Sequence, residues 1–469
     1  MYNHVAMHVS VFKAYDIRGI AGEELTPQFA EALGKSIVAH LGAKCIAVAR
    51  DIRESGPSLH ASFIKGVIDS GTDVMDLGVT TTGVLYRASK DLDVDASVMI
   101  TASHNPPEYN GFKICRGTLP MAGEEIQDLR RTMERGEFRV GQGKILSADE
   151  FQNEYIETVV RNAGKPGRRV RIAIDCGNAV PGPLAIEVME RIGVDVVAIH
   201  CTWDNEFPNH PPDPTRKENM LDLSSVVVET GCEFGIGMDG DGDRIGVVDE
   251  NGKFIHPDRL MALFVQDLLS DVGDDSDEER RKIFYDVKCS MALEECIKES
   301  GGIPVMVRTG HSFMKKILRE NPSSPMAGEM SGHFFLNDRW PGFDDSIYNA
   351  ARLLEIVGRD PSPNEGGIHF SERFSGLPDY PSTDEVKIPL EGGRDEVMES
   401  VNNAFSDMES SSVDGIRVRY PDGWYLCRPS NTEPILVMRA EGRDEEALRS
   451  ILGDVNSRIG QILDLSKFS

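Results

Sequence analysis

The chain has 469 residues, with 50 Lys and Arg against 77 Asp and Glu, so its formal charge is −27, and 40% of its residues are hydrophobic. That length suggests about three or four domains, each able to bury its own core. The acidity excludes a nucleic-acid partner, whose binding rests on many cations neutralising phosphates, and it obliges any site for an anionic small molecule to gather positive groups locally.

No apolar run approaches the roughly 18 residues of a membrane span; VDASVMIT at 94–101 is among the longest. No membrane association is expected. The start, MYNHVAMHVSVFKAYDIRG, lacks the basic, apolar and small-residue succession of a secretory signal. The eight cysteines are scattered and form no C-x-x-C, which suits reduced thiols in the cytoplasm better than a disulfide framework or a zinc cage.

In chain order, CIAVAR (45–50), LHASFIKGVIDSG (59–71), DVMDLG (73–78) and ASVMITAS (96–103) read as strand, helix, strand, strand. The cycle restarts at RVRIAIDCGNAV (169–180), followed by a helix at 183–193 and strands at 195–201 and 232–241. It restarts again at RKIFYDVKCS (281–290), followed by a helix at 291–302 and apolar segments at 303–312 and 326–336. The acidic stretch 271–282 between them reads as a solvated loop. The last part differs: EVKIPLEGG, GIRVRYPDGWYLCRPS and EPILVMRAEG alternate with helices at 393–408 and 443–463. The expected fold is α/β, three similar mixed α/β domains at 1–150, 151–255 and 256–372, followed by a smaller α+β domain at 373–469.

The strongest chemical signal is GMDGDGDR at 237–244, where Asp239, Asp241 and Asp243 alternate with glycines. In a tight turn three such carboxylates can converge on one hard cation, and oxygen-only ligands suit Mg²⁺. An EF-hand is the rival reading, and counting twelve from Asp239 reaches Glu250; but position six is Arg244 instead of glycine, and the flanks read as strands. The second signal is TASHNPPEYNGFK at 101–113, which follows an apolar strand and leaves Ser103 on a loop. G-x-S-x-G is absent; taken alone the serine reads as a turn former beside Asn-Pro-Pro, and a serine can instead carry a phosphoryl group, whose charge the triple-Asp loop would then help to neutralise through a metal. A third loop, LCRPSNTEP at 426–434, combines Arg428 with Ser430, Asn431 and Thr432, a set able to hold phosphate. A fourth, GEMSGH at 328–333, offers Glu329 and Ser331 to sugar hydroxyls.

These four motifs in this order, with FKAYDIRG (12–19), NEFPNHPPDPT (205–215), YDVKCS (285–290) and RTGHS (308–312), resemble the α-D-phosphohexomutases, and within them the phosphomannomutase/phosphoglucomutase group. The resemblance covers essentially the whole chain. It implies four domains around a central cleft, with Ser103 as phosphoserine and its phosphate completing the Mg²⁺ shell of Asp239, Asp241 and Asp243. It also implies sugar recognition by Glu329 and Ser331, phosphate binding by Arg428, Ser430, Asn431 and Thr432, and a cleft further lined by Tyr15, Arg18, His104, Lys113, Arg244, Lys288, His311 and His333.

The reaction implied is interconversion of hexose 1-phosphate and hexose 6-phosphate, with a hexose 1,6-bisphosphate as intermediate and activator. Lys113 and His333 are the candidate general base and acid, Arg18 the charge stabiliser, and His104 a further catalytic candidate. Phosphoglucosamine mutases usually read GEQSGH and SGT where this chain reads GEMSGH and SNT, so mannose or glucose phosphates are the expected substrates. The alternatives are a phosphoglucosamine mutase, a non-catalytic phosphosugar-binding protein and a phosphatase.

Overall fold

The apolar run at 45–50 is a strand, Cys45–Arg50, with four consecutive buried residues, as a strand covered by helices on both faces requires. The computed structural model describes residues 8–148, 150–270, 272, 277–390, 393–430 and 435–465. Cys45–Arg50 pairs parallel with Asp73–Val79 on one side and with Ala96–Ile100 on the other, and Ala96–Ile100 pairs antiparallel with Tyr109–Arg116. Ile17–Ile20 extends this sheet beside Tyr109–Arg116, and Ile145–Ser147 extends it beyond Asp73–Val79.

The same strand order recurs twice. Arg171–Asp175 lies between Asp195–Ile199 and Phe234–Met238, all parallel, and Ile245–Asp249 returns antiparallel. Lys282–Asp286 lies between Ile303–Val307 and Met326–Gly328, again parallel, and Phe334–Leu336 returns antiparallel. Where sequence alone suggested one element at 326–336, the chain forms this hairpin, because the glycines and polar residues of GEMSGH break the apolar run. The strand expected over 232–241 is likewise confined to Phe234–Met238, where the acidic loop begins.

The C-terminal part is an antiparallel sheet in the order Val386–Pro389, Ile435–Gly442, Gly423–Pro429, Ile416–Tyr420, Ser410–Ser411. GIRVRYPDGWYLCRPS is thus a hairpin, with Pro421 and Asp422 in its turn. The helices Arg394–Ala404 and Glu445–Ile459 pack on this sheet through Val401, Val455 and Ile459. The fold is therefore α/β in three similarly wound units followed by a smaller α+β unit. Of the acidic stretch 271–282, residues 271 and 273–276 lie outside the described residues, and Glu278–Arg281 is a 3-10 turn leading into the next strand.

One apolar core runs through the second and third sheets, joining Ile172, Phe234, Ile283 and Phe334, and takes in Val84 and Tyr86 from the first unit. The C-terminal unit has a core of its own around Phe405, Tyr425 and Leu436, and meets the third through Val287, Trp424 and Leu426. Among the described residues no helix is long and apolar enough to cross a membrane.

Candidate active site

In each of the first three sheets, the connection leading from the outer parallel strand into its antiparallel return leaves the C-terminal end of that strand, where open α/β sheets place their ligands. These connections carry Ser103, the Asp239–Arg244 turn and the Glu329–His333 turn, and they meet. Gly240 packs so closely on Ser103 that a Cβ there would stand 2.0 Å from the serine carbonyl oxygen, and the Ile245 N–H donates to Gly332 O at 3.1 Å.

Ser103 is 2% exposed and sits at φ 51°, a left-handed conformation uncommon outside glycine. Its N–H donates to Thr101 Oγ1 at 2.9 Å, and its carbonyl accepts from Arg53 Nη2 at 2.7 Å. Arg53 is wholly buried and also donates to the carbonyls of Asn105, Pro106 and Tyr109. Asp51, 3.1 Å away, balances its charge and accepts from Thr101 Oγ1 at 2.7 Å. One guanidinium thus spends its fork of donors on the backbone of a whole loop. Sequence reasoning passed over Asp51 and Arg53; the available signal was a D-x-R directly after a buried parallel strand.

The Ser103 hydroxyl donates to Asp239 Oδ2 at 2.6 Å and lies 3.1 Å from His104 Nδ1. Asp239 Oδ1 accepts the N–H groups of Asp243 and Arg244 at 2.9 and 3.0 Å. Lys113 Nζ donates to Oδ2 of both Asp241 (2.6 Å) and Asp243 (2.5 Å), and Thr82 Oγ1 also donates to Asp241 Oδ2. All three aspartates are fully buried, with ligand atoms within 4.8 Å of one another. The Oδ1 atoms of Asp241 and Asp243 are buried without a hydrogen-bond partner.

Burial, together with the charges of Asp243 and Asp241, pushes the Asp239 carboxyl well above the usual carboxylate range. Three buried carboxylates, a shared ammonium and two orphaned oxygens fit a hard cation, which would satisfy the unpaired atoms and offset the residual charge. The trio can hold a metal ion.

A cleft of about 470 Å³ opens over this junction. The first unit lines it with Tyr15, Arg18, Ser103, His104 and Lys113, the second with Arg244, and the third with His311, Glu329, Ser331 and His333. An adjoining lobe of about 860 Å³ shares His104, Arg244 and Ser331 and extends to Lys288 and Arg439. Arg18 donates to Asn105 Oδ1 and Asp16 Oδ2, both at 2.6 Å. The Tyr15 hydroxyl donates to Thr309 O at 2.9 Å and so bridges the first and third units.

His333 Nε2 accepts from Arg244 Nε at 3.0 Å, while its Nδ1 stands 2.8 Å from Asp344 Oδ2, too poorly aligned for a good hydrogen bond. His311 stacks on His333 with ring centres 5.5 Å apart, and Lys315 Nζ donates to its Nδ1 (3.1 Å) and to Asp344 Oδ1 (2.7 Å). Burial and the neighbouring Lys315 and Lys113 hold His311 neutral, and burial with Arg244 and Arg18 does the same for His104. Asp344 and Lys315 were not singled out from sequence; Lys315 lies one helical turn after His311, which is the signal that could have found it.

Lys113 is held between two carboxylates. Against the cost of burial, Asp241 and Asp243 drive its pKa up, whereas a general base needs it down. The arrangement favours a fixed ammonium over a proton acceptor. Glu329 Oε1 accepts the Gly310 N–H, Ser331 Oγ donates to Glu329 Oε2 at 3.4 Å, and burial raises the Glu329 pKa.

At the C-terminal unit, Lys288 Nζ donates to Glu385 Oε1 at 2.9 Å. Arg428 Nε donates to Asp414 Oδ2 at 2.7 Å, and the same oxygen accepts the Thr309 N–H at 3.1 Å. Arg428 stands close enough for its charge to act on Tyr15 and Lys288. The Ser430 N–H donates to Ile435 O at 2.8 Å, and Asn431 and Thr432 lie outside the described residues.

Four family models match in succession: phosphoglucomutase/phosphomannomutase alpha/beta/alpha domain I at 9–140, domain II at 153–252, domain III at 256–369, and the C-terminal domain at 385–457. The chain is 41% identical over 449 residues to the phosphomannomutase/phosphoglucomutase of Pseudomonas aeruginosa, covering 94% of each protein. It is 41% identical over 452 residues to the phosphoglucomutase of Neisseria gonorrhoeae, covering 94% of this chain and 95% of that one. Among solved structures, a phosphoglucomutase/phosphomannomutase family protein of Burkholderia thailandensis matches with a TM-score of 0.89 and 38% identity over 97% of this chain and 98% of that one. With the motifs, the threefold strand order and these likenesses in agreement, the chain belongs to the phosphoglucomutase/phosphomannomutase family.

Proposed function

We propose that this protein is a phosphohexomutase that interconverts hexose 1-phosphate and hexose 6-phosphate, of mannose, glucose or both, with Ser103 as the phosphoryl carrier. The observation that carries this reading is the contact of Ser103 Oγ with buried Asp239, where Ser103 lines a cleft shared with Arg18, Lys113 and Arg244. The working division is 1–150 for the serine loop, 151–255 for the metal loop, 256–372 for the sugar loop and 373–469 for the phosphate loop. Eight unpaired cysteines, seven of them buried, support a reducing, cytoplasmic setting.

In the forward half-reaction the bond from Ser103 Oγ to phosphorus breaks while the free sugar hydroxyl forms the new oxygen–phosphorus bond; the hydroxyl proton leaves to a base, and an acid returns a proton to the departing serine oxygen. The hexose 1,6-bisphosphate then turns end for end and returns its other phosphoryl group to the serine. His333 is the acid–base candidate: its Nε2 faces Arg244, and Asp344 stands ready to balance an imidazolium. Arg18 and Lys113 hold positive charge beside the transferring group, where phosphoryl transfer draws most of its catalysis. Asp239, Asp241 and Asp243 would hold Mg²⁺, which when bound would neutralise phosphate charge. Glu329 and Ser331 offer acceptor and hydroxyl to the sugar, and Arg428 with the 430–432 loop holds the phosphate that does not react.

The test is a coupled assay of mannose 1-phosphate and glucose 1-phosphate with Mg²⁺ and a hexose 1,6-bisphosphate activator. Conversion to the 6-phosphate without release of inorganic phosphate is the expected result. Stoichiometric phosphate release would make the protein a phosphatase, and binding without turnover would leave only a phosphosugar receptor.

A further inference from the structure

A second cluster of metal-ligating side chains lies outside the cleft, at the C-terminal edge of the second sheet. Asp175 ends the strand Arg171–Asp175, and His200 directly follows the neighbouring strand Asp195–Ile199, whose last residue pairs with Asp175. His210 comes from the loop beyond. One potential ligand atom from each of the three lies within 4.8 Å of the others. We propose that Asp175, His200 and His210 form a second metal site, one suited to zinc and distinct from the all-oxygen trio that suits magnesium.

The first argument is the hydrogen-bond assignment of His210. Its Nδ1 stands 2.9 Å from Pro211 O, and a carbonyl only accepts, so that nitrogen carries a proton. The Nε2 lone pair of the neutral ring then points at Asp175 Oδ2, 3.0 Å away. A lone pair facing a carboxylate is stable only with a cation between them, either a proton or a metal. An outer Nδ1–H bonded to a backbone carbonyl is also how ligating histidines are commonly fixed in tautomer and orientation.

Asp175 is similarly prepared, because its other oxygen accepts the Gly177 N–H at 2.8 Å and Oδ2 is left for the site. His200 Nε2 lies 3.2 Å from Asp222 Oδ2, which gives the second ring an orienting carboxylate. The His200 backbone is fixed as well: it sits at φ 47°, and its carbonyl accepts the Asn178 N–H at 2.6 Å.

The spacing and donor set point to the ion class. Bonds of about 2.0–2.1 Å to zinc place tetrahedral ligand atoms about 3.3 Å apart, so the 3.0 Å between His210 and Asp175 needs only a few tenths of an ångström of opening. Two imidazoles and a carboxylate favour Zn²⁺ over Mg²⁺, which prefers oxygen. The histidine side chains are 21% and 14% exposed, which leaves a fourth position open to water. The loop so pinned reaches the catalytic centre: a Cβ on Gly177 would meet Pro212 and the His210 ring, and one on Gly240 would also meet Pro212. Zinc would therefore stiffen the segment that backs the acidic turn.

The experiment is a Zn²⁺ titration of metal-stripped full-length protein in saturating Mg²⁺, read by calorimetry, by melting temperature and, with Co²⁺ as a spectroscopic substitute, by visible absorption. One Zn²⁺ per chain is expected, with a rise in melting temperature. His200→Ala and His210→Gln should each weaken binding tenfold or more and remove the cobalt bands, while Asp239→Asn leaves them. His200→Ala should keep the zinc-free melting temperature and its Mg²⁺-supported turnover, so that it decides the matter should His210→Gln fail to fold. No bound Zn²⁺ under saturating Mg²⁺, or binding lost in Asp239→Asn and retained in His200→Ala, would overturn the proposal.

Discussion

Ser103 is restrained on every side. A serine hydroxyl is a poor nucleophile at its ordinary pKa, and here a left-handed backbone, a guanidinium on its carbonyl and a carboxylate on its hydroxyl fix where that oxygen points. Ser103→Ala removes the carrier atom but none of the groups that line the rest of the cleft. Turnover in the coupled assay should therefore fall on the order of 10³-fold or more, while calorimetry shows sugar-phosphate affinity within a few-fold of the unmodified protein; near-normal turnover would reject Ser103 as carrier. Ser103 and the three aspartates could be found in the sequence because each motif is local, a few residues with one job. Arg53 could not, since its contacts run to residues about fifty positions away. Lys113 could be found from its motif, but its charge state could not be read there, because that depends on Asp241 and Asp243, which lie 128 and 130 positions along the chain.

At the level of elements, three copies of one strand order deliver three loops to one point. The strands were legible from their apolar β-branched runs, whereas the hairpin at 326–336 was not, because a period-based reading does not reveal where a short apolar segment turns back. The repeated order explains why the loops face each other: each leaves the C-terminal end of an outer parallel strand, and the shared core of the second and third units holds two of those ends together. The tightest point is Gly240. Its missing side chain lets the metal loop lie against the carbonyl of Ser103, and Gly242 beside it takes φ 77°. A methyl at residue 240 would meet backbone, which cannot swing aside as a side chain can. Gly240→Ala should accordingly cost about 1–3 kcal/mol of stability, as overpacking does, and should lower Mg²⁺ affinity at least tenfold with a parallel loss of turnover. Calorimetric Mg²⁺ titration and thermal melts check this; normal Mg²⁺ binding would show that the two loops need not touch for the metal site to form.

For the molecule as a whole, the question is how a chain of charge −27 attracts a substrate that is itself an anion. The answer is local clustering of cations: Arg18, Lys113 and Arg244 line one lobe of the cleft and Lys288 and Arg439 the other, beside carboxylates such as Glu329 and Glu385 that line the same lobes. The second lobe is completed by the C-terminal unit, whose separate core meets the third unit through a small apolar patch and a few polar bridges, Lys288 to Glu385 and Thr309 to Asp414 among them. Arg428 sits at that seam on Asp414. If it holds the phosphate that does not react, that contact is the same in ground and transition states, and losing it raises KM without touching the chemical step. A charge-assisted hydrogen bond contributes about 1.5–3 kcal/mol, so Arg428→Ala should raise KM about 10- to 100-fold and leave kcat within a few-fold. Steady-state kinetics with either sugar phosphate decides it. A fall in kcat at constant KM would place Arg428 with the reacting groups, and no change in either would move the phosphate-holding role to Lys288 and Arg439 in the adjoining lobe.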